Sequence, residues 1–134
     1  MVKQPQELKK RHLTPKQHKL HATSYGLRGE QLAVIFLKQS GYTILSTNVR
    51  LQTTEVDIVA IDTSTNEIAI TEVKRRSSGS FGSPALAVTP QKMRHMAKVA
   101  AVIQREYHYS LDVRFDIISI VGTTIEHFKN ISWH

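Results

Sequence analysis

The chain has 134 residues, 40% of them hydrophobic, which suits one domain with a single modest core. It contains no cysteine, which excludes disulfides and thiolate metal sites, and no apolar run reaches the length of a membrane span. The formal net charge of +7 favours an anionic partner, and we expect a cytoplasmic protein without membrane association.

The basic excess is concentrated at the N-terminus. Residues 1–22 contain six lysines or arginines against Glu7 alone, whereas the rest of the chain is nearly balanced. Because this stretch has no sustained apolar periodicity, we predict a flexible basic arm over residues 1–22 and one domain over residues 23–134. Such an arm suits phosphate binding and equally suits a solubilising tail.

The elements of the domain are predicted in the order α-β-β-β-α-β-β. The first helix runs from Thr23 or Ser24, either of which can cap it, to Ser40, and stops at Gly41. Glycines at positions 79 and 82 predict a flexible loop over residues 77–84. Five segments rich in β-branched and aromatic residues are predicted to be strands: residues 42–50, 55–62, 67–75, 113–121 and 125–131.

The second helix is predicted to begin at Thr89-Pro90, a favourable cap followed by proline in the first turn. This order of elements fits an α/β fold with a central mixed sheet flanked by helices. The apolar face of the second helix repeats at helical spacing and is assigned to the core; it comprises Met93, Met96, Val99 or Ala100, Ile103 and Tyr107.

The strongest chemical signal is a pair of opposed carboxylates. The turn at residues 63–66 predicts a register in which Asp57 lies across from Glu72, and Glu55 across from Lys74. Opposed side chains share a face, with Cβ atoms about 4.5–5.5 Å apart. Since both strands are apolar on both faces, two facing carboxylates there would repel unless protonated or bridged by a cation. We interpret them as a metal site; an exposed polar patch with an ordinary Glu55–Lys74 ion pair is the alternative.

Glu30 supplies a third carboxylate from the first helix. It lies within the apolar stripe of that helix, and Gly26 and Gly29 would allow the helix to approach the sheet closely. An all-oxygen ligand set selects a hard cation such as Mg²⁺, or Mn²⁺ as a substitute. The neighbouring lysine can stabilise a developing anion or help orient a water. These are the parts expected for phosphodiester hydrolysis.

The order of these residues resembles a known nuclease motif. Asp57, fourteen intervening residues and then Glu72-Val73-Lys74 resemble the PD-(D/E)xK motif of restriction-endonuclease-like enzymes. More narrowly, the chain is similar to the small bacterial family called YraN or UPF0102, which is related to archaeal Holliday-junction resolvases. The matching pieces follow the family's order between about residues 24 and 121: Gly26-Leu27-Arg28-Gly29-Glu30, Asn48-Val49-Arg50, Glu55-Val56-Asp57-Ile58-Val59, Glu72-Val73-Lys74-Arg75-Arg76, Phe81-Gly82-Ser83-Pro84, Gln91-Lys92 and Arg114-Phe115-Asp116.

The resemblance implies a restriction-endonuclease-like fold that binds nucleic acid and a metal. Its implied catalytic residues are Asp57, Glu72 and Lys74. Its implied metal ligands are Glu30, Asp57, Glu72 and the backbone carbonyl of Val73. Together with the charge distribution, it indicates DNA contacts from basic residues of both the domain and the arm: Arg50, Arg75, Arg76, Lys92, Lys9, Lys10 and Arg11.

We therefore expect a Mg²⁺-dependent endonuclease that acts on structured or branched DNA. The alternative is a nucleic-acid-binding module of the same fold that cleaves little and assists DNA repair, recombination or uptake. A homodimer is compatible with either function. A purely structural domain would leave Asp57 and Glu72 unexplained.

Overall fold

The computed structural model of the protein describes residues 17–19, 28–51, 54–76, 89–106 and 110–131. After a short first strand, the elements follow the predicted order α-β-β-β-α-β-β. They are β1 (Gln17–Lys19), α1 (Gly29–Gln39), β2 (Tyr42–Leu51), β3 (Thr54–Asp62), β4 (Glu67–Arg76), α2 (Pro90–Glu106), β5 (Asp112–Val121) and β6 (Thr124–Phe128).

The strands form one mixed sheet in the order β1-β6-β5-β4-β3-β2. Among the described strands, β4 and β5 pair in parallel, and every other neighbouring pair is antiparallel. A parallel pair needs a crossover connection, and α2 lies between β4 and β5 in sequence. The predicted α/β fold with a central mixed sheet is thus confirmed.

Each helix covers its own hydrophobic core. On α1, Leu32, Phe36 and Leu37 are buried with Ile58 of β3 and Ile118 of β5. A second core joins α2 to the sheet and contains Met96, Val99 and Ile103 with the strand residues Val59 and Ile70. Because β3 and β4 contribute to both cores, they are apolar on both faces, as their sequences predict.

The first helix begins later than predicted. Arg28 has an extended backbone, with φ −69° and ψ 156°, so α1 starts at Gly29 rather than at Thr23 or Ser24. The Gln31 side chain accepts a hydrogen bond from the Arg28 N–H at 2.8 Å and so caps the N-terminus of the helix. Residues 20–27, which include the predicted caps, lie outside the described residues.

The close approach predicted from glycine is confirmed at Gly29. A Cβ added at this position would lie 3.3 Å from the Cβ of Arg75, so glycine lets the start of α1 contact β4. The predicted end of the helix is also confirmed, since Gly41 follows it with a φ of +88°, a conformation that favours glycine.

The predicted register of the β3–β4 hairpin is confirmed. Its pairs run from Asp62–Glu67 to Ile58–Thr71. The turn is closed by the Asp62 carboxylate, which accepts hydrogen bonds from the Ser64 N–H at 3.0 Å and the Ser64 hydroxyl at 2.7 Å. A four-residue turn and a side-chain period of two were sufficient to determine this alignment.

The second helix also begins where predicted. The Thr89 hydroxyl accepts a hydrogen bond from the Lys92 N–H at 3.1 Å, which makes Thr89 the N-cap. The predicted loop over residues 77–84 and Tyr107 lie outside the described residues. None of the helices in the described parts of the chain is long and apolar enough to cross a membrane.

Part of the predicted flexible arm is a strand. Residues 17–19 form β1, which pairs antiparallel with β6, and the His18 ring lies 4.9 Å from the Phe36 ring. The predicted arm over residues 1–22 thus includes three residues that pair with the sheet, and its other residues lie outside the described ones. A three-residue strand is too short to show a period, and its pairing partner lies about a hundred residues away in the chain.

A buried ionic cluster, which no sequence pattern predicted, lies at the hairpin-turn end of the sheet. The Arg114 guanidinium, whose side chain is 1% exposed, is 2.8 Å from Asp62, 3.0 Å from Glu67 and 3.1 Å from Asp116. It also donates to the Tyr42 hydroxyl at 2.6 Å. Asp62 is five positions from Asp57 on β3, about 17 Å along the strand, so this cluster is distinct from the predicted metal site.

Candidate metal and nucleic-acid site

Asp57 and Glu72 occupy the next positions along β3 and β4 after the Ile58–Thr71 pair, where the regular pairing of these strands ends. The Asp57 carboxylate then accepts a hydrogen bond from the Val73 N–H at 2.7 Å. Its side chain is thereby held against the backbone of β4, directly beside Glu72.

The electrostatics of Asp57 show which groups surround it. Burial is the largest cause that raises the pKa of Asp57, and the charges of Glu30 and Glu72 raise it further. The Val73 N–H and the charge of Lys92 oppose this rise. The charges of Glu30, from the first turn of α1, and of Glu72 are thus both felt at Asp57.

Glu72 is held by two lysines. Its Oε1 atom lies 3.2 Å from the Lys74 Nζ and 2.9 Å from the Lys92 Nζ, while its side chain is only 11% exposed. Its other oxygen, Oε2, is buried and makes no hydrogen bond with any residue that the structure describes. An acceptor left without a donor in such a place is costly unless another positive group reaches it.

The fit to a metal can be judged from these donors. In the described part of the chain, no three His, Asp or Glu side chains are grouped closely enough to hold a metal ion together. The oxygen atoms of Asp57 and Glu72 nevertheless suit a hard cation, and the buried Oε2 of Glu72 is an acceptor without a hydrogen-bond partner among the described residues.

Lys92 makes a contact that the sequence prediction did not include. The resemblance and its charge assigned it to nucleic-acid binding, which stays a prediction, and its ammonium group contacts Glu72 at 2.9 Å. One signal could have revealed this contact. Lys92 lies in the first turn of α2, which contains no acidic residue, and a cation there opposes the helix dipole unless a nearby carboxylate compensates for it.

The other predicted nucleic-acid contacts are more scattered. Arg50 is exposed on β2 and lies 3.3 Å from Glu55, so the alternative Glu55–Lys74 ion pair does not form. Arg75 and Arg76 are exposed at the end of β4, next to Lys74 in sequence. The remaining three, Lys9, Lys10 and Arg11, lie outside the described residues.

Comparison with known sequences places these residues in a family. The sequence pattern of the uncharacterised protein family UPF0102 matches residues 29–120, which include Glu30, Asp57, Glu72, Lys74 and Lys92. The chain belongs to this family. A UPF0102 protein of Geobacter metallireducens is 42% identical over 116 residues, covering 83% of this chain and 93% of the relative.

Other relatives agree with this assignment. A UPF0102 protein of Thermodesulfovibrio yellowstonii is 42% identical over 109 residues, covering 78% of this chain and 92% of the relative. Another, from Flavobacterium psychrophilum, is 40% identical over 113 residues, covering 81% and 93%. The match to the UPF0102 pattern begins at Gly29, so the basic arm lies outside it. The family name assigns no activity, and any chemistry must follow from the site.

Proposed function

We propose that the protein is a Mg²⁺-dependent endonuclease that cleaves structured or branched DNA. The observation that carries this proposal is the environment of Glu72. One of its oxygens is shared by two ammonium groups, the other is buried without a partner among the described residues, and a second carboxylate, Asp57, lies beside it. The preference for branched DNA rests on the resemblance to Holliday-junction resolvases.

The charge balance of the site supports a cation. When all are ionised, Glu30, Asp57 and Glu72 carry three negative charges, against two positive charges on Lys74 and Lys92. Bound Mg²⁺ would polarise a phosphate oxygen and lower the pKa of a water nucleophile. With a divalent ion present, the local charge becomes positive, which suits a phosphodiester.

The residues of the chain have separable roles in this proposal. Asp57 and Glu72 hold the ion, and the Val73 N–H orients the Asp57 carboxylate. Lys74, whose side chain is 41% exposed, can leave Glu72 and reach a phosphate oxygen. Glu30, on the first turn of α1, completes the set when it turns towards the ion.

A second candidate function is a non-cleaving DNA-binding module of the same fold. It is favoured by the contacts of Glu72, since both lysines already neutralise this carboxylate without any metal. It is also favoured by the absence of a compact group of three ligands in the described residues. Such a module would assist an enzyme of DNA repair, recombination or uptake.

The deciding experiment is a nuclease assay with Mg²⁺ or Mn²⁺ on four-way junctions, flaps, single strands and duplexes. We expect the wild-type protein to cleave at least one branched substrate and Asp57→Ala to cleave none. Glu55→Gln is the matched control, because Glu55 is an exposed carboxylate two residues earlier on β3, and it should cleave as the wild type does. If the wild type binds these substrates but cleaves none with either metal, the binding-module function is the correct one.

A further inference from the structure

The charged side chains of α2 are almost all basic. From Pro90 to Arg105 this helix contains no acidic residue, and Glu106 is its last position. Apart from Lys92, its basic side chains are exposed or half-buried on the solvent side. We call these residues the α2 basic face: Arg94, His95, Lys98 and Arg105.

This distribution is unfavourable for the helix itself. Arg94 and Lys98 are four residues apart, so their like charges repel across one turn. Lys92 is compensated by Glu72, whereas Arg94, Lys98 and Arg105 form no ion pair with any residue in the described segments. A charge arrangement that weakens its own helix and finds no internal partner indicates an external one.

The basic face borders a groove of about 400 Å³ between α2 and the adjoining ends of β2 and β3. His95, Lys98 and Arg105 line one wall, and Leu51 and Thr54 contribute to the other. The lining contains three basic side chains and no carboxylate from the described residues. Charge complementarity therefore selects a polyanion as the occupant.

The basic face and the candidate site are both carried by α2, on different sides of the helix. Lys92, in the first turn of α2, contacts Glu72, and Arg105 lies thirteen residues further along the helix. At 1.5 Å per residue this distance is about 20 Å, the length of roughly six base-pair steps of duplex DNA.

We propose that the α2 basic face is a DNA-docking surface on the same helix whose Lys92 contacts the candidate site. This proposal rests on the proposed function, because DNA is the substrate proposed for the site at Glu72. It adds contacts from Arg94, Lys98 and Arg105, none of which was assigned to nucleic-acid binding from the sequence. These contacts are electrostatic and independent of base sequence.

The test uses the double variant Arg94→Gln/Lys98→Gln of the full chain. Its matched control is Lys38→Gln/Lys129→Gln, which removes the same charge from the end of α1 and from the residue after β6. Dissociation constants for a labelled duplex and a four-way junction are measured without metal over a range of salt concentrations. Each phosphate that is no longer neutralised should lower the log–log salt slope by about 0.9 on duplex DNA, so the slope should fall by up to about 1.8 in the double variant and stay unchanged in the control.

A thermal melt separates docking from folding. The double variant should melt at or above the wild-type temperature, because a repulsion within α2 has been removed. Equal salt slopes for the double variant and the control would overturn the docking surface and leave the proposed nuclease untouched. Tighter binding of an RNA duplex of the same sequence would overturn DNA as the occupant. A wild type that binds but never cleaves would instead overturn the nuclease and retain the surface.

Discussion

At the scale of single residues, the two lysines on Glu72 are the groups whose roles can be separated most cleanly. Lys74→Ala removes a charge proposed to act on the transition state but leaves Asp57 and Glu72 to hold metal. Cleavage should therefore fall about 100- to 1,000-fold, while Mn²⁺ affinity, measured by calorimetry, is retained or rises. If Lys74→Ala cleaves as fast as the wild type, the catalytic assignment of this lysine is wrong.

Lys92 provides the complementary test. Its ammonium group lies 2.9 Å from the Oε1 atom of Glu72, so it competes with any cation for that carboxylate. Since a unit charge pair at 4 Å is worth about 1 kcal/mol in water, Lys92→Met should raise Mn²⁺ affinity several-fold. Lys98→Met, at an exposed lysine on the same helix, should leave that affinity unchanged. Weaker metal binding by Lys92→Met would show that this lysine supports the site rather than competing with the ion.

Arg114 is the residue on which folding should depend most strongly. Its buried guanidinium is shared by Asp62, Glu67 and Asp116. Arg114→Met would leave these buried carboxylates without their cation and should cost about 3–5 kcal/mol of unfolding free energy in denaturant titrations. Arg105→Met, at an exposed arginine, should cost less than about 0.5 kcal/mol. Equal stabilities of the two variants would contradict a structural role for the cluster.

The same cluster predicts an acid limit to stability. Burial alone would raise the pKa of Asp116, but the hydrogen bond and charge of His127 and the charge of Arg114 outweigh it and lower the pKa to about 2. A carboxylate whose pKa is lower in the folded state stabilises the fold above its unfolded pKa of about 3.9, and this stabilisation is lost as the pH falls. The unfolding free energy should thus decline between about pH 4 and pH 2, and Asp116→Asn should flatten that decline. A wild-type profile that stays level in this window would rule out the linkage.

At the scale of elements, the cap of α2 links folding to the site. The Thr89 hydroxyl accepts a hydrogen bond from the Lys92 N–H, so the cap fixes the turn that carries Lys92. Thr89→Ala should reduce the unfolding free energy by about 1 kcal/mol, whereas Thr89→Ser should restore most of it. The measurement is chemical denaturation of the three proteins under one condition. If Thr89→Ala is as stable as the wild type, another group satisfies that N–H.

The elements also show how far local patterns reach. The alternation and turn length of the β3–β4 hairpin predicted its register, which was confirmed from Asp62–Glu67 to Ile58–Thr71. The start of α1 was predicted wrongly. Its N-terminus is capped by the Gln31 side chain, which accepts a hydrogen bond from the Arg28 N–H, and not by a serine or threonine. The end of α1 and the start of α2 were predicted correctly, whereas the start of α1 was not, since several side chains can satisfy the first N–H groups of a helix.

At the scale of the whole molecule, two N-terminal truncations separate the effect of the arm's charge from the effect of β1. Deleting residues 1–16 removes five basic residues but keeps β1, so stability should stay unchanged while the DNA salt slope falls by about 0.9 for each phosphate that the arm neutralises. Deleting residues 1–22 also removes β1, which exposes the edge of β6 and the Phe36 ring beneath His18. This longer truncation should lower the melting temperature. An unchanged slope after the shorter deletion would make the arm a solubilising tail.

The sequence by itself determined the order of the elements in the 23–134 domain and the hairpin alignment that sets Asp57 beside Glu72. It could do so because side-chain period, turn length and capping residues act over a few neighbouring positions. The sequence also indicated Glu30 as a candidate metal ligand, because a carboxylate in an apolar helical stripe is unusual.

Only the tertiary structure decided which distant groups meet. The pairing of β1 with β6, the contact of Lys92 with Glu72 and the contacts of Arg114 with Asp62 and Glu67 all join residues that lie far apart in the chain. In the sequence, a lysine in a first helical turn or an arginine in an apolar strand has many potential partners. The packing of α2 against the sheet and the position of β5 within the sheet select one of these partners. A charge removed from water must find its counter-charge within hydrogen-bonding distance.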